Sequence, residues 1–199
     1  MKKIAVFDFD HTLFKQDSLI AFCLYIYRRY PWRALYGIVQ LVGLFLHRLG
    51  ILSTRQFKNL FIGYLIAIPK KKVDRLVNDF WTQHLNAGFN KELLELIGQH
   101  KEKIEIVCVS ASPQFMFTLL MKHLLQIDVC ISTPTTYSYC RYRICGQNCR
   151  GSEKIKRLNE YYSEGYELIL AVSDNEDDQE LLNMATTQLK VVNGRLVKP

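Results

Sequence analysis

The feature that most constrains this chain is a short apolar run, Ile4-Ala5-Val6-Phe7, which ends at two carboxylates, Asp8 and Asp10. Such a run is typical of a buried strand that carries polar side chains to the carboxyl edge of a parallel sheet. That edge is where open α/β sheets bind their ligands. The sequence therefore predicts a functional site at the end of the first strand.

Asp8 and Asp10 repel each other at this spacing, so the pair requires either a cation or a proton on one of the acids. A hard divalent cation such as Mg²⁺ suits carboxylate oxygens. The alternative is structural: an acidic loop in which Asp10 or Thr12 caps the next helix. Both interpretations stay open on this segment alone.

The rest of the chain divides into a helical part and an alternating part. Residues 18–89 have the pattern of helices with apolar faces, whereas helix and strand alternate after residue 90. This order predicts an α/β fold, a doubly wound and mostly parallel sheet with an α-helical cap inserted after the first strand. We expect residues 1–17 and 90–199 to form the core and residues 18–89 the cap.

Hydrophobic periodicity and turn residues give the element boundaries. The first cap helix is expected to start at an N-cap, Asp17 or Ser18, and to stop at Pro31. The extended stretch 137–149, broken around Gly146, indicates a hairpin. The remaining predicted strands are 104–109, 129–131, 168–172 and 189–192, and the remaining predicted helices are 91–101, 114–125, 151–162 and 179–185.

Polar side chains follow three of the predicted strands: Asp8 and Asp10, then Ser110, then the acidic run 174–178. Lys154 opens a helix between the last two strands. Because the carboxyl ends of parallel strands meet at one edge, these side chains can converge. Phosphoryl transfer needs such a set: a nucleophile, an acid for the leaving oxygen, a cation and hydrogen-bond donors.

The order of these residues resembles the four motifs of haloacid dehalogenase (HAD) superfamily phosphatases, and the similarity spans nearly the whole chain. The matching segments are Asp8-Phe9-Asp10-His11-Thr12, Val109-Ser110, Lys154, and Ser173-Asp174 with Asp178. Within the superfamily, the insertion after the first motif and the segment Gly151-Ser152-Glu153-Lys154 are similar to the phosphoserine-phosphatase-like subfamily IB. The resemblance implies a Rossmann-like core with a helical cap.

The resemblance also implies a reaction, the hydrolysis of a phosphomonoester through an aspartyl-phosphate. Asp8 is implied as the nucleophile and Asp10 as the general acid and base. Ser110 and Lys154 are implied to bind the phosphate oxygens.

Mg²⁺ is the implied cofactor, because a cation reduces the repulsion between a carboxylate and a phosphate dianion. Its implied ligands are Asp8, the backbone carbonyl of Asp10, and Asp174. The side chains implied to support the site are Thr12 and Asp178, with Asp177 as the alternative to Asp178.

Two apolar segments of the predicted cap, 34–46 and 57–68, are too short to cross a bilayer, which takes about 20 residues. Basic and aromatic residues flank them: Arg28, Arg29, Arg33, Arg48, Lys70, Lys71 and Lys72, with Tyr30, Trp32, Tyr36 and Tyr64. This pattern is typical of helices that lie at a membrane interface. The alternative is a cap bundle whose helices bury these faces on one another.

The partner is expected to be anionic, because the net charge is +7. Within subfamily IB, the apolar cap and the segments 17–18, 110–114 and 173–182 are similar to the phosphatidylglycerophosphatase C family. This resemblance implies a phosphorylated membrane lipid headgroup such as phosphatidylglycerophosphate and an anionic membrane surface. A soluble phosphomonoester resembling phosphoserine is the alternative substrate, and a non-catalytic module that binds anionic membranes is a further alternative. No nucleic acid is expected, since nucleic-acid binding would leave the four motifs unexplained.

Cysteine use and the amino terminus predict a cytoplasmic location, peripheral at the cytoplasmic face of the membrane if the cap binds lipid. The apolar run after Met1-Lys2-Lys3 is broken by Asp8, so no export signal forms. Six cysteines without such a signal indicate reduced thiols. Cys140, Cys145 and Cys149 do not have the spacing of a zinc knuckle, and we interpret them as strand cysteines.

Overall fold

A computed structural model of the chain describes residues 1–85, 87–117 and 125–197. Its strands are β1 (Lys2–Phe7), β2 (Glu105–Pro113), β3 (Val129–Thr133), β4 (Thr135–Ser138), β5 (Arg141–Ile144), β6 (Tyr166–Ser173), β7 (Thr187–Val192) and β8 (Arg195–Val197). Six of them form one sheet in the order β3-β2-β1-β6-β7-β8, while β4 and β5 form a separate antiparallel hairpin.

The sheet is parallel except for the β7–β8 pair. β1 lies between β2 and β6, with Phe7 opposite Cys108 on one side and Val172 on the other. The chain therefore turns to opposite sides of β1, and the switch point lies at the carboxyl end of that strand, where ligands bind in folds of this type. The prediction of a doubly wound, mostly parallel sheet is confirmed.

The helices whose bounds lie within the described residues are α1 (Ser18–Arg29), α2 (Tyr36–Arg48), α3 (Thr54–Phe61), α4 (Lys70–His84), α5 (Lys91–His100), α6 (Ser152–Tyr161) and α7 (Gln179–Asn183). Short 3₁₀ helices cover Pro31–Leu35, Ile62–Leu65, Gln114–Met116 and Glu176–Asp178. Alternate residues of β1 enter two separate cores: Ala5 and Phe7 pack in the core that includes α1, α4 and α5, and Ile4 and Val6 in the core with α6 and α7. Both faces of the sheet are therefore covered.

Local hydrogen bonds determine where two helices of residues 18–89 begin. Asp17 is the N-cap of α1, as predicted, because its side chain accepts a hydrogen bond from the backbone N–H of Ile20 at 2.8 Å. Pro31 ends α1 but also begins a 3₁₀ helix. α3 starts earlier than the predicted apolar segment, because Ser53 and Gln56 form a capping box there.

The helix predicted over 114–125 is wrong at its start. β2 runs on to Pro113, which pairs with Thr133 of β3 after a register shift, and a 3₁₀ turn covers Gln114–Met116. The Phe117 N–H donates to the Gln114 carbonyl at 3.0 Å, which is the i to i−3 bond of a 3₁₀ helix and not the bond of an α-helix. Residues 118–124 of this prediction lie outside the described residues.

The predicted hairpin is confirmed, but its turn is not at Gly146. Tyr139 and Cys140 connect β4 to β5, and both have positive φ angles, 48° and 53°. Two left-handed residues match the twist of a two-residue hairpin turn. Cys140 therefore lies in a turn and Cys145 and Cys149 lie outside the strands, so the interpretation as strand cysteines is wrong for these three.

The second apolar segment, 57–68, packs mostly into the interior, with Ile66 exposed. Ile62, Tyr64, Leu65 and Ile68 are all buried, so the interfacial hypothesis is wrong for residues 57–68 and its packing alternative is right. No helix within the described residues has the length and apolar character needed to cross a membrane.

Candidate active site

Lys154 connects two buried carboxylates at the carboxyl edge of the sheet. Its Nζ donates to Asp8 Oδ1 and to Asp178 Oδ2, each at 2.6 Å. Lys154 lies in the first turn of α6, Asp8 directly follows β1, and Asp178 ends the 3₁₀ turn after β6. The Lys154 and Asp178 side chains are 3% and 0% exposed, so the group forms in the interior rather than in solvent.

The charges of this group do not balance, because one ammonium faces two carboxylates. Burial raises the pKa of Asp8 to about 7, although Lys154 acts in the opposite direction. For Lys154, burial opposes the charge, but Asp8 and Asp178 outweigh it and raise its pKa. Asp178 Oδ1 is buried and has no hydrogen-bond partner among the described residues. A further positive charge near Asp8 would therefore stabilise this cluster.

Asp10 is held at the amino terminus of α1. Its Oδ1 accepts from the backbone N–H of Ser18 at 2.7 Å, and its Oδ2 accepts from the Ser112 hydroxyl at 2.5 Å. The two serine hydroxyls are 2.9 Å apart. Burial raises the pKa of Asp10, which favours a carboxyl group that can carry a proton. Asp10 thus supports the helix start, as the structural alternative expects, and also lies beside the strand end.

Thr12 joins the loop after β1 to the loop after β6. Its hydroxyl accepts from the Asp174 backbone N–H at 3.0 Å and donates to Asp174 Oδ1 at 2.9 Å. His11, with φ of 60°, turns the chain just before Thr12. This pair of hydrogen bonds orients the Asp174 carboxylate.

The other predicted site residues differ in their burial and in their hydrogen-bond and ion-pair partners. Ser110, on β2, is fully buried, and its hydroxyl oxygen accepts from the Ser112 N–H at 3.0 Å. Asp177 is about half exposed and pairs with Arg150, whereas Asp178 is buried against Lys154. The geometry therefore favours Asp178 over Asp177 as the supporting acid.

Two residues near the site were missed. Ser112 lies only two residues after Ser110, and its position in the predicted strand end was the available signal. Lys58 of α3 donates to the Ala111 carbonyl at 2.7 Å and to Asn148 Oδ1 at 2.6 Å, and burial lowers its pKa to about 8. A single lysine within an apolar helical segment is a signal for Lys58, since its charge must find partners. These contacts connect the helical segment to the end of β2.

The oxygen donors present fit Mg²⁺. Among residues 1–85, 87–117 and 125–197, no group of three or more Asp, Glu, His or Cys could enclose a metal ion alone. Mg²⁺ does not need such a group, because it commonly binds one or two carboxylates together with water and phosphate. Asp8, Asp174 and the Asp10 carbonyl, which the resemblance implies as ligands, carry oxygens of this kind, and the excess negative charge around Asp8 favours a cation.

A family model matches residues 5–183, and it describes haloacid dehalogenase-like hydrolases. The chain belongs to the haloacid dehalogenase-like hydrolase family. The match covers all four motifs, so the predicted HAD-type hydrolase is confirmed. No curated protein matches the chain.

Solved structures share the fold of this HAD hydrolase at low sequence identity. A protein of unknown function from Bordetella pertussis Tohama I has a TM-score of 0.78 at 21% identity, with 94% of this chain and 89% of that chain covered. A phosphoserine phosphohydrolase-like protein from Francisella tularensis subsp. tularensis SCHU S4 has a TM-score of 0.63 at 20% identity, with 96% and 88% covered. A substrate-bound phosphoserine phosphatase has 0.61 at 17%, with 96% and 86% covered.

Proposed function

We propose that this HAD hydrolase is a Mg²⁺-dependent phosphatase that cleaves phosphomonoesters through an aspartyl-phosphate. The observation that carries the proposal is the buried Asp8–Lys154–Asp178 group beside Asp10 at the switch point of the sheet. A carboxylate with a neighbouring ammonium and a neighbouring protonatable acid is the minimum set for such a reaction. Another solved neighbour is a phospho-aspartyl intermediate analogue of phosphoserine phosphatase, at 18% identity and a TM-score of 0.60, which lends support.

In the proposed first step, an Asp8 oxygen attacks phosphorus and the bond to the ester oxygen breaks. Asp10 gives its proton to the leaving alkoxide. In the second step Asp10 accepts a proton from water and the water oxygen bonds to phosphorus. The bond between phosphorus and Asp8 then breaks, which releases phosphate and regenerates the Asp8 carboxylate. Lys154 and Ser110 bind the phosphate oxygens, and the cation supplies the charge that lets a carboxylate approach a phosphate dianion.

We propose Asp8, the Asp10 carbonyl and Asp174 as the Mg²⁺ ligands. Phosphate release from a generic phosphomonoester is expected to fall to background in EDTA and to return with added Mg²⁺. Turnover that EDTA does not change would contradict the metal dependence. The roles proposed for the other site residues would then still be tested by mutation.

Thr12→Val tests how the Asp174 carboxylate is held. The variant keeps the side-chain volume but removes both hydrogen bonds to Asp174, so the Mg²⁺ concentration for half-maximal activity is expected to rise by roughly tenfold or more, as when hydrogen bonds to metal ligands are lost. The measurement is a Mg²⁺ titration of the rate. Thr12→Ser keeps the hydroxyl and should titrate like the wild type. Equal shifts in both variants would contradict this role of the hydroxyl.

The proposed substrate is a phosphorylated membrane lipid headgroup such as phosphatidylglycerophosphate, reached from the cytoplasmic face. Exposed apolar side chains around α2 favour it, because a soluble substrate does not require them. A soluble phosphomonoester such as phosphoserine is the second candidate, favoured by the fold shared with phosphoserine phosphatases.

A side-by-side assay separates the two substrates: phosphatidylglycerophosphate in mixed micelles against phosphoserine and other water-soluble phosphomonoesters. We expect the lipid to have the higher kcat/KM. A soluble ester that is better by about tenfold, or 1.4 kcal/mol of transition-state stabilisation, would contradict the lipid substrate and leave the phosphatase intact.

A further inference from the structure

α2 has its apolar side chains on the outside. Ile38, Leu41, Val42 and Phe45 follow helical spacing and lie 52–69% exposed. Exposed apolar residues continue the same surface before and after the helix. We call the whole set the outer face: Trp32, Leu35, Ile38, Val39, Leu41, Val42, Phe45, Leu49 and Ile51. A helix in water normally has the reverse arrangement.

The inner side of α2 is polar or small, and its contacts set the rotation of the helix. The buried Gln40 accepts from the Tyr27 hydroxyl at 2.7 Å and donates to the Phe61 carbonyl at 2.8 Å. At Gly43 an added Cβ would lie 2.6 Å from a methyl carbon of Leu60. Turning the outer face inward would break these hydrogen bonds and lose this close packing. The apolar exposure is therefore built into the helix.

The segment that carries the outer face is basic, although Lys70 pairs with Asp74 just beyond it at 2.8 Å. Residues 18–73 contain nine Lys and Arg and no Asp or Glu, so the rest of the chain carries a net charge of −2 against +7 for the whole. Seven of the nine are exposed: Arg28, Arg29, Arg48, Arg55, Lys70, Lys71 and Lys72. An apolar surface in a basic, acid-free segment is complementary to an anionic lipid interface.

We propose that the outer face docks this protein on an anionic membrane, with α2 lying in the interface. Thirteen residues of helix extend about 20 Å, less than the roughly 30 Å of a bilayer core, so α2 fits the plane of the interface and not a span across it. A second copy is a poorer occupant, because pairing two such faces would oppose two basic segments that contain no carboxylate.

This inference extends the proposed lipid substrate by naming the surface that would meet the bilayer. α3 lies between that surface and the proposed site: Leu60 packs on Gly43 of α2, and Lys58 reaches the Ala111 carbonyl beside Ser110. α2 and α3 thus lie between the outer face and the end of β2.

Flotation of the full chain with phosphatidylglycerol-containing vesicles tests the docking, with pure phosphatidylcholine vesicles as the comparison. We expect binding to the anionic vesicles that weakens at high salt. The double variant Leu41→Ser with Phe45→Ser should lower the partition coefficient by at least about tenfold, because it removes buried apolar area. The matched control is Met184→Ser with Val192→Ser, two exposed apolar residues outside the cap segment, and it should bind within about twofold of the wild type.

Thermal unfolding of both double variants shows whether a loss of vesicle binding reflects a loss of folding. Asp8→Asn, which removes the proposed nucleophile, should still float with the anionic vesicles. Failure of the phosphatase proposal would thus be seen in turnover and failure of the docking proposal in flotation. No binding to anionic vesicles, equal binding to both lipids, equal loss in the control, or a dimer in light scattering that the Leu41→Ser and Phe45→Ser changes dissociate would each overturn the docking.

Discussion

Asp8→Asn is expected to lower phosphate release by at least about three decades, because the amide cannot serve as the nucleophile of a covalent intermediate. The loss should come without unfolding. Asn has the size of Asp and removes a charge whose burial is unfavourable, as the raised pKa of Asp8 indicates. The measurements are the rate with a generic phosphomonoester at saturating Mg²⁺ and the thermal unfolding midpoint of the same sample.

The matched control for this prediction is Asp177→Asn, which changes an exposed acid paired with Arg150. It should keep the rate within about threefold, as surface substitutions usually do. Wild-type-like turnover of Asp8→Asn would contradict the aspartyl-phosphate mechanism. If Asp10→Asn were fully active while Asp8→Asn was inactive, only the acid and base role of Asp10 would fail.

The strand ends were predictable because a parallel sheet brings them to one edge whatever the details of the loops. Apolar runs that end in Asp8, Ser110 and Asp174 are local signals, and the topology turns them into a cluster. The partners of these groups were not predictable. Asp10 binds Ser18 and Ser112, and their hydroxyls meet only after α1 has packed against the end of β2.

The two apolar segments within residues 18–89 show a second feature that was not predictable from the sequence. Residues 34–46 and 57–68 are both rich in apolar side chains, yet Ile62 and Leu65 are buried while Leu41 and Phe45 are exposed. Composition gives the amount of apolar surface but not the side on which it lies. Here the direction is set by Gln40, whose amide finds partners only inside the bundle.

Lys154→Met is expected to lower kcat/KM by two or more decades and also to destabilise the fold. The lost charge is proposed to stabilise bound phosphate and the transition state. In the free protein the substitution leaves Asp8 and Asp178 buried without their cation. Breaking a buried ion pair in this way lowers the free energy of unfolding by about 3–5 kcal/mol. Steady-state kinetics and denaturant unfolding in metal-free buffer measure the two effects.

The destabilisation of Lys154→Met should grow as pH rises. With Lys154 present, burial already raises the pKa of Asp8 from its ordinary value near 4 to about 7, and without the ammonium it rises further. Above about pH 7 the folded variant still holds a proton on Asp8 that the folded wild type and the unfolded chains have lost. Its free energy of unfolding therefore continues to fall with increasing pH after that of the wild type has levelled off. The free energy of unfolding of the variant should therefore be closest to that of the wild type near pH 5 and furthest from it near pH 8.

The matched control is Lys156→Met, which changes an exposed lysine on the same helix and should change neither rate nor stability appreciably. A rate for Lys154→Met within threefold of the wild type would exclude Lys154 from phosphate binding, and Lys156 would then be the lysine to examine.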